Sequence, residues 1–220
     1  MKIKICGLFR DEDIDYINEA RPDYAGFVFA QSRRQISPGK AARLRQRLAE
    51  GIAAVGVFVN AAIDDIIALY RDGVISLAQL HGTEDEAYIS RIKEKSGAAP
   101  IPIIKKLCPL PTPYSPFPTL GSWIKPVSIT ADYLLMDSGA GSGKTFDWGL
   151  LTPGGSCASS LESSGKPWFL AGGVGVDNIE QAITLNPFAI DVSSGAETDG
   201  VKSRDKILRL TKIVRKGNIP

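Results

Sequence analysis

The sequence of 220 residues predicts an α/β protein: a (β/α)8 TIM barrel occupying residues 1–220 as one domain. Three observations point there. Eight short apolar runs recur along the chain, amphipathic segments lie between them, and glycine and polar residues collect just after the runs. A barrel places its site at those strand ends. The doubly wound parallel sheet is the competing layout, and the pattern of runs alone separates the two poorly.

The runs are Ile3–Cys6, Ala25–Phe29, Ala53–Val59, Leu77–Leu80, Ile101–Leu107, Tyr133–Met136, Trp168–Ala171 and Ala189–Val192. Each is continuous rather than alternating, as in a parallel strand buried on both faces. Helical spacing is found in Glu12–Ala20, Pro38–Glu50, Ile63–Asp72, Glu84–Ser96, Asp177–Leu185 and Ser203–Lys216. Ser37 before Pro38 supplies a cap and a first-turn proline, and Thr83 precedes the acidic Glu84-Asp85-Glu86. The fifth and sixth crossovers read as irregular. Prolines at 109, 111, 113, 116 and 118 exclude a helix interior, Asp147–Leu151 allows a short helix at best, and Gly154–Gly165 reads as a flexible Gly/Ser stretch.

Composition excludes several classes of function. Lys plus Arg is 26 and Asp plus Glu 24, a net charge of +2, which argues against a nucleic-acid binder driven by phosphate neutralisation. A hydrophobic fraction of 44% with 23% charged residues is ordinary for a globular chain and excludes disorder over most of it. Three cysteines without a C-x-x-C, and a single histidine, fit neither a disulfide framework nor a multi-histidine metal site. No metal is expected. Met1 leads straight into the first strand, and no stretch reaches the ~18 apolar residues of a membrane span. The expected location is the cytoplasm, with no membrane partner, as a monomer or homodimer.

The strand ends carry the chemistry. Cys6, ending the first strand, faces the barrel mouth; by itself it reads first as a small buried hydrophobe, as most free cysteines are, and only second as a catalytic group. Arg33 and Arg34 follow the second strand and could clamp a carboxylate or phosphate, or simply be solvated. His81, after the fourth, fits an acid, a base or a hydrogen-bonding lining residue. Asp137 follows an apolar run, a setting that suits a general acid but also a turn. Gly143-Lys144-Thr145 invites a phosphate-loop reading, yet the pattern needs a glycine where Ser138 stands. Gly172-Gly173 and Asp191-Val192-Ser193-Ser194-Gly195 put small residues after strands seven and eight, the pair of strands at which barrels bind phosphate.

Taken in order, these segments resemble the phosphoribosylanthranilate isomerase family of tryptophan biosynthesis. The resemblance rests on Lys4-Ile5-Cys6-Gly7, Gly26–Phe29 with Ser32-Arg33-Arg34 and Ile36-Ser37-Pro38, Val55–Asn60, Gln79-Leu80-His81-Gly82, Gly143–Trp148, Ala171-Gly172-Gly173 and Asp191–Glu197. It implies the barrel and an Amadori rearrangement of a small phosphoribosyl substrate without a cofactor. It also implies roles: Cys6 as general base, Asp137 as general acid, Arg34 rather than Arg33 on the anthranilate side, and Gly172-Gly173 with Ser193-Ser194-Gly195 around the phosphate. His81 and Asp191 complete the expected lining. Gly141–Thr145 then becomes a loop beside the acid, whose glycines suggest a movable lid, rather than a nucleotide cradle. A base works best with a pKa near the working pH, and a free thiol near ~8.5 needs only a modest decrease. Cys108 and Cys157 fall in the two irregular crossovers and carry no expected role.

Overall fold

The computed structural model describes residues 1–107, 130–137, 146–155 and 157–217. Eight parallel strands close into a barrel: β1 (Lys2–Cys6), β2 (Tyr24–Val28), β3 (Ala53–Phe58), β4 (Leu77–Leu80), β5 (Ile103–Leu107), β6 (Tyr133–Met136), β7 (Trp168–Leu170) and β8 (Ala189–Val192). The β1–β8 ladder makes the closure, pairing Lys4 with Asp191. All eight expected runs become strands, and the doubly wound alternative is excluded.

Strand alternation sorts the side chains into two bodies. Ile3, Ile5, Ala25, Phe27, Leu134 and Ile190 point outward into one cluster with the surrounding helices. Tyr24, Val55, Leu77, Ile104, Leu135, Phe169 and Ala189 point inward and form a second cluster inside the barrel. Because side chains alternate with a period of two, every second residue of a strand shares a face. Lys4 and Cys6 therefore share the inward face of β1. The N-terminal end is stoppered by Tyr24, Tyr133, Phe169 and Phe188, with the Lys2 ammonium 5.1 Å from the Phe188 ring centre. The opposite end is left for a cavity.

The helices are α1 (Asp11–Ala20), α2 (Pro38–Arg47), α3 (Ile63–Arg71), α4 (Glu86–Ser96), α5 (Ala158–Ser164), α6 (Ile179–Thr184) and α7 (Arg204–Lys216). Ser37 caps α2 by accepting from the Lys40 N–H, with Pro38 in the first turn as expected. Ser203 caps α7 in the same manner.

Several boundaries differ from expectation: α2, expected to run to Glu50, ends at Arg47, and three further differences have causes in the contacts. Helix α4 starts at Glu86, not Glu84: Asp85 takes the cap position and accepts from the Tyr88 N–H at 2.8 Å. Glu84 is withdrawn from the helix by the Lys105 ammonium at 2.7 Å and by the N–H groups of Asn60 and Gly82. Helix α6 starts at Ile179 because Asn178 is spent in the preceding turn, accepting from the Gly175 N–H and donating to the Gly173 carbonyl. The stretch Gly154–Gly165, expected to be flexible, contains α5, which follows a 3-10 turn at Trp148–Leu151. Leu161 and Ala158 are buried against the barrel, and Gly165, at φ 62°, ends the helix. Pro109–Pro118, Cys108 and Gly141–Thr145 lie outside the described residues. Among the described residues no helix is long and apolar enough to cross a membrane.

The buried Glu84–Lys105 pair ties the β3–α3 and β4–α4 connections to β5. Glu84→Ala leaves Lys105 buried without its counter-charge and frees two backbone N–H groups. The expected loss is about 3–5 kcal/mol, measured by denaturant unfolding.

Candidate active site

A cavity of about 370 Å³ opens at the C-terminal end of the barrel. Cys6, Arg34, His81, Asp137, Gly172, Gly173, Asp191, Ser193 and Ser194 all line it. Of the residues expected from the sequence, only Gly195 stands outside its wall; a Cβ there would lie 2.0 Å from the Val174 carbonyl oxygen. A neighbouring hollow of about 720 Å³ is larger, but its ionisable lining is limited to Asp65 and Asp72. It offers no thiol, imidazole or guanidinium; the groups able to do acid–base chemistry line the smaller one.

Three groups occupy the floor. The Lys4 ammonium, fully buried, donates to Asp191 Oδ2 at 2.7 Å and to Gln79 Oε1 at 2.6 Å. Burial opposes its charge and is the largest single influence, but the charge and hydrogen bond of Asp191, together with Cys6, outweigh it and hold the Lys4 pKa above its usual value. Asp191 Oδ1 has no partner among the described residues although the side chain borders the cavity.

Cys6 is a buried free thiol two residues beyond Lys4. Its space is made by the adjacent strand: Gly26 pairs with it in the ladder, and a Cβ at Gly26 would lie 2.7 Å from Cys6 Sγ. Burial pushes the thiol pKa up, and the nearby charge of Lys4 only partly offsets this. Burial thus favours the neutral thiol of Cys6. Desolvation, in a pocket with too little surplus positive charge at sulfur, acts against the modest decrease that a base at working pH would need.

His81 stands at the end of β4, its backbone N–H held by the Phe58 carbonyl at 2.8 Å. Its Nε2 faces Asp137 Oδ2 at 3.7 Å. Burial lowers its pKa to about 4, more than the Asp137 carboxylate can restore. Of the roles left open by the sequence, the neutral hydrogen-bonding one is the one this setting favours.

The rim is a charge cluster built on Glu197. Arg34 grips that carboxylate with two bonds, Nε at 2.6 Å and Nη2 at 3.0 Å. Lys202 adds a third at 2.7 Å, and Arg33 a fourth. Burial would raise the Glu197 pKa, but the hydrogen bonds from Arg34 and Lys202 prevail and bring it to about 2. Gly7, at φ 82°, makes way for Arg34: a Cβ there would sit 2.4 Å from Arg34 Cδ. Arg33 is half exposed and turns to the Gly200 carbonyl, so only Arg34 enters the cavity wall.

On the remaining side, the turns after β7 and β8 meet. Gly172 and Gly173 both have positive φ, and Gly175 bridges to Gly195. The backbone hydrogen bonds described for these turns use none of the N–H groups of Gly172, Gly173 and Ser194. Two turns presenting N–H donors at the mouth form a site for an anion.

Residues 3–213 match the family model described as N-(5'phosphoribosyl)anthranilate (PRA) isomerase. The chain belongs to the phosphoribosylanthranilate isomerase family. It is 44% identical over 220 residues to the N-(5'-phosphoribosyl)anthranilate isomerase of Endomicrobium trichonymphae, covering 97% of this chain and 98% of the relative. Among solved structures, the phosphoribosyl anthranilate isomerase of Thermus thermophilus superposes with a TM-score of 0.78 at 30% identity, over 98% of this chain and 99% of the other. A family structure in complex with reduced 1-(o-carboxyphenylamino)-1-deoxyribulose 5-phosphate gives a TM-score of 0.76 at 29% identity, with the same coverage.

Sequence reasoning assigned no role to Lys4, Gln79, Gly26, Lys202 or Glu197. A signal existed for Lys4: a charge inside an apolar run, two residues before Cys6 and so on the same face.

Two outcomes test this geometry. Gly26→Ala crowds Cys6 and is expected to cost about 1–3 kcal/mol in denaturant unfolding. Glu197, with its pKa depressed from 4.5 to about 2, stabilises the fold fully above the higher value, and that stabilisation is lost as pH falls through the lower. Glu197→Gln should therefore flatten the acid limb of a stability–pH curve between those two values.

Proposed function

We propose that the chain catalyses the Amadori rearrangement of N-(5-phosphoribosyl)anthranilate to 1-(2-carboxyphenylamino)-1-deoxyribulose 5-phosphate in tryptophan biosynthesis, as one catalytic domain over residues 1–220. The supporting observation is that one cavity, in a member of this family, gathers a thiol, a carboxylate, an arginine and two anion-binding turns. The family model and the relatives' names support the reaction; the residue roles are those the family resemblance implies, and the chemistry of the cavity is consistent with them.

Asp137 is the acid. It protonates the ring oxygen of the furanose, and the C–O bond breaks to leave an open-chain protonated imine. Cys6 is the base. As thiolate it removes the proton from sugar C2, and the electron pair of that C–H bond moves to neutralise the imine, giving an enolamine. Tautomerisation of the enolamine yields the ketone. Every step is a proton transfer or its electronic consequence, so no redox cofactor or metal is called for.

The imine cation explains how a raised thiol can serve. Positive charge developing beside Cys6 favours the thiolate at the moment it is needed. Arg34, held by Glu197 through Nε and Nη2, offers Nη1 to the anthranilate carboxylate. Asp191 Oδ1 is placed to accept a sugar hydroxyl. The phosphate sits on the turns at Gly172-Gly173 and Ser193-Ser194-Gly195, where binding remote from the reacting carbons holds them in place. A cytoplasmic location goes with this reading, since a reducing environment keeps Cys6 a free thiol.

The test is a fluorescence assay in which phosphoribosylanthranilate is generated in situ and its decay followed. Cys6→Ala and Asp137→Asn should each lower kcat by about 10²–10⁴-fold with the fold intact by circular dichroism. Wild-type-like turnover in Cys6→Ala would sink the assignment of the base. In the wild type, kcat/KM should climb from neutral into alkaline pH as the free enzyme's thiol ionises, and the residual activity of Cys6→Ala should lack that limb.

A further inference from the structure

The chain has a single histidine, and its protonation is dictated from across the barrel. An ammonium group only donates hydrogen bonds. The Lys4 Nζ–Gln79 distance of 2.6 Å therefore fixes the amide with its oxygen toward Lys4. The opposite orientation would set NH2 against NH3⁺. The Gln79 amide nitrogen is then turned to His81 Nδ1, at 3.0 Å. An amide nitrogen also only donates, so Nδ1 accepts and carries no proton. The proton of the neutral ring is on Nε2, the nitrogen facing Asp137.

We propose that Lys4 and Gln79 are positioning residues that lock His81 in its neutral Nε2–H tautomer, so that His81 donates a hydrogen bond to the acid's side of the site and never takes up a second proton in the reaction. The relay runs Asp191, Lys4, Gln79, His81, Asp137, linking β8, β1, β4 and the end of β6. Its role rests on the reading of Asp137 as general acid. A histidine able to accept a proton would compete with the substrate for the one on Asp137. With Nδ1 engaged and Nε2 already protonated, acceptance would require an imidazolium. Burial disfavours that ion, as do Lys106 on β5 and Lys4 on β1; Asp137 and Glu84 favour it and do not prevail. The Nε2–H instead stabilises the Asp137 carboxylate once its proton has left. At 3.7 Å the contact is long in the empty cavity, and such contacts tighten when substrate is bound.

One histidine makes the test direct. With ring-¹⁵N histidine in the full chain, two-bond ¹H–¹⁵N correlation reads both nitrogens of His81 without assignment. Across about pH 5 to 8, the wild type should show one neutral species protonated at Nε2. A proton on Nδ1, a mixture of tautomers, or an imidazolium at neutral pH would overturn the proposal, and this readout needs no variant and no activity. Gln79→Glu replaces the donor facing Nδ1 with an acceptor. His81 should then move to Nδ1–H or to imidazolium, with kcat falling about tenfold or more and KM nearly unchanged. His81→Gln, which keeps an N–H donor, should retain more kcat than His81→Ala. A switched tautomer with wild-type kcat in Gln79→Glu would overturn the positioning role. Normal turnover in Asp137→Asn together with the expected wild-type tautomer would instead defeat the reading of Asp137 and leave the tautomer lock standing.

Discussion

The site depends on a buried ammonium. Lys4 lies within the first strand, where an apolar residue would be expected, and it is fully enclosed. Leaving it unpaired there would cost several kcal/mol. Asp191 and Gln79 satisfy it, and in doing so they fix the floor of the cavity. The same cation faces Cys6 on one side and, through Gln79, orients His81 on the other. A neutral residue of similar volume would fill the space without holding either group.

Closure of the barrel gives that ion its surroundings. Inward residues of alternate strands meet in layers: aromatic and aliphatic at the N-terminal end, ionic at mid-height, reactive at the mouth. The outward residues form a separate body with the helices. The scaffold and the chemistry thus share strands without sharing a face, so the mouth can carry left-handed glycines and an unpaired buried polar atom while stability is secured elsewhere.

Much of this was legible in the residues. Continuous apolar runs declared the eight strands, because a strand buried on both faces has no reason to alternate. Ser37-Pro38 declared a helix start, since cap and first-turn signals are local. Misread features had distant causes. Glu84 looks like a first-turn acid until Lys105, on the next strand, takes it. Helix α5 hides in a Gly/Ser-rich composition because buried contacts of Ala158 and Leu161, not propensity, hold it. In the site, Cys6, Arg34, His81, Asp137, Asp191 and the glycine turns could be named as strand-end residues. Glu197 could not be given its work: its bonds to Arg34 span 163 residues of sequence. Gln79 was equally silent, since only the hydrogen bonds on both sides of its amide show what it does.

The cluster on Glu197 has a consequence for how a ligand arrives. Three cations share one carboxylate, leaving two positive charges in surplus at the rim. That equals the formal surplus of the whole chain, +2. A molecule nearly neutral from afar thus presents a local positive field at the mouth of the barrel. A small anion diffusing nearby is drawn toward the mouth over roughly 10 Å at moderate ionic strength, and added salt shortens that reach.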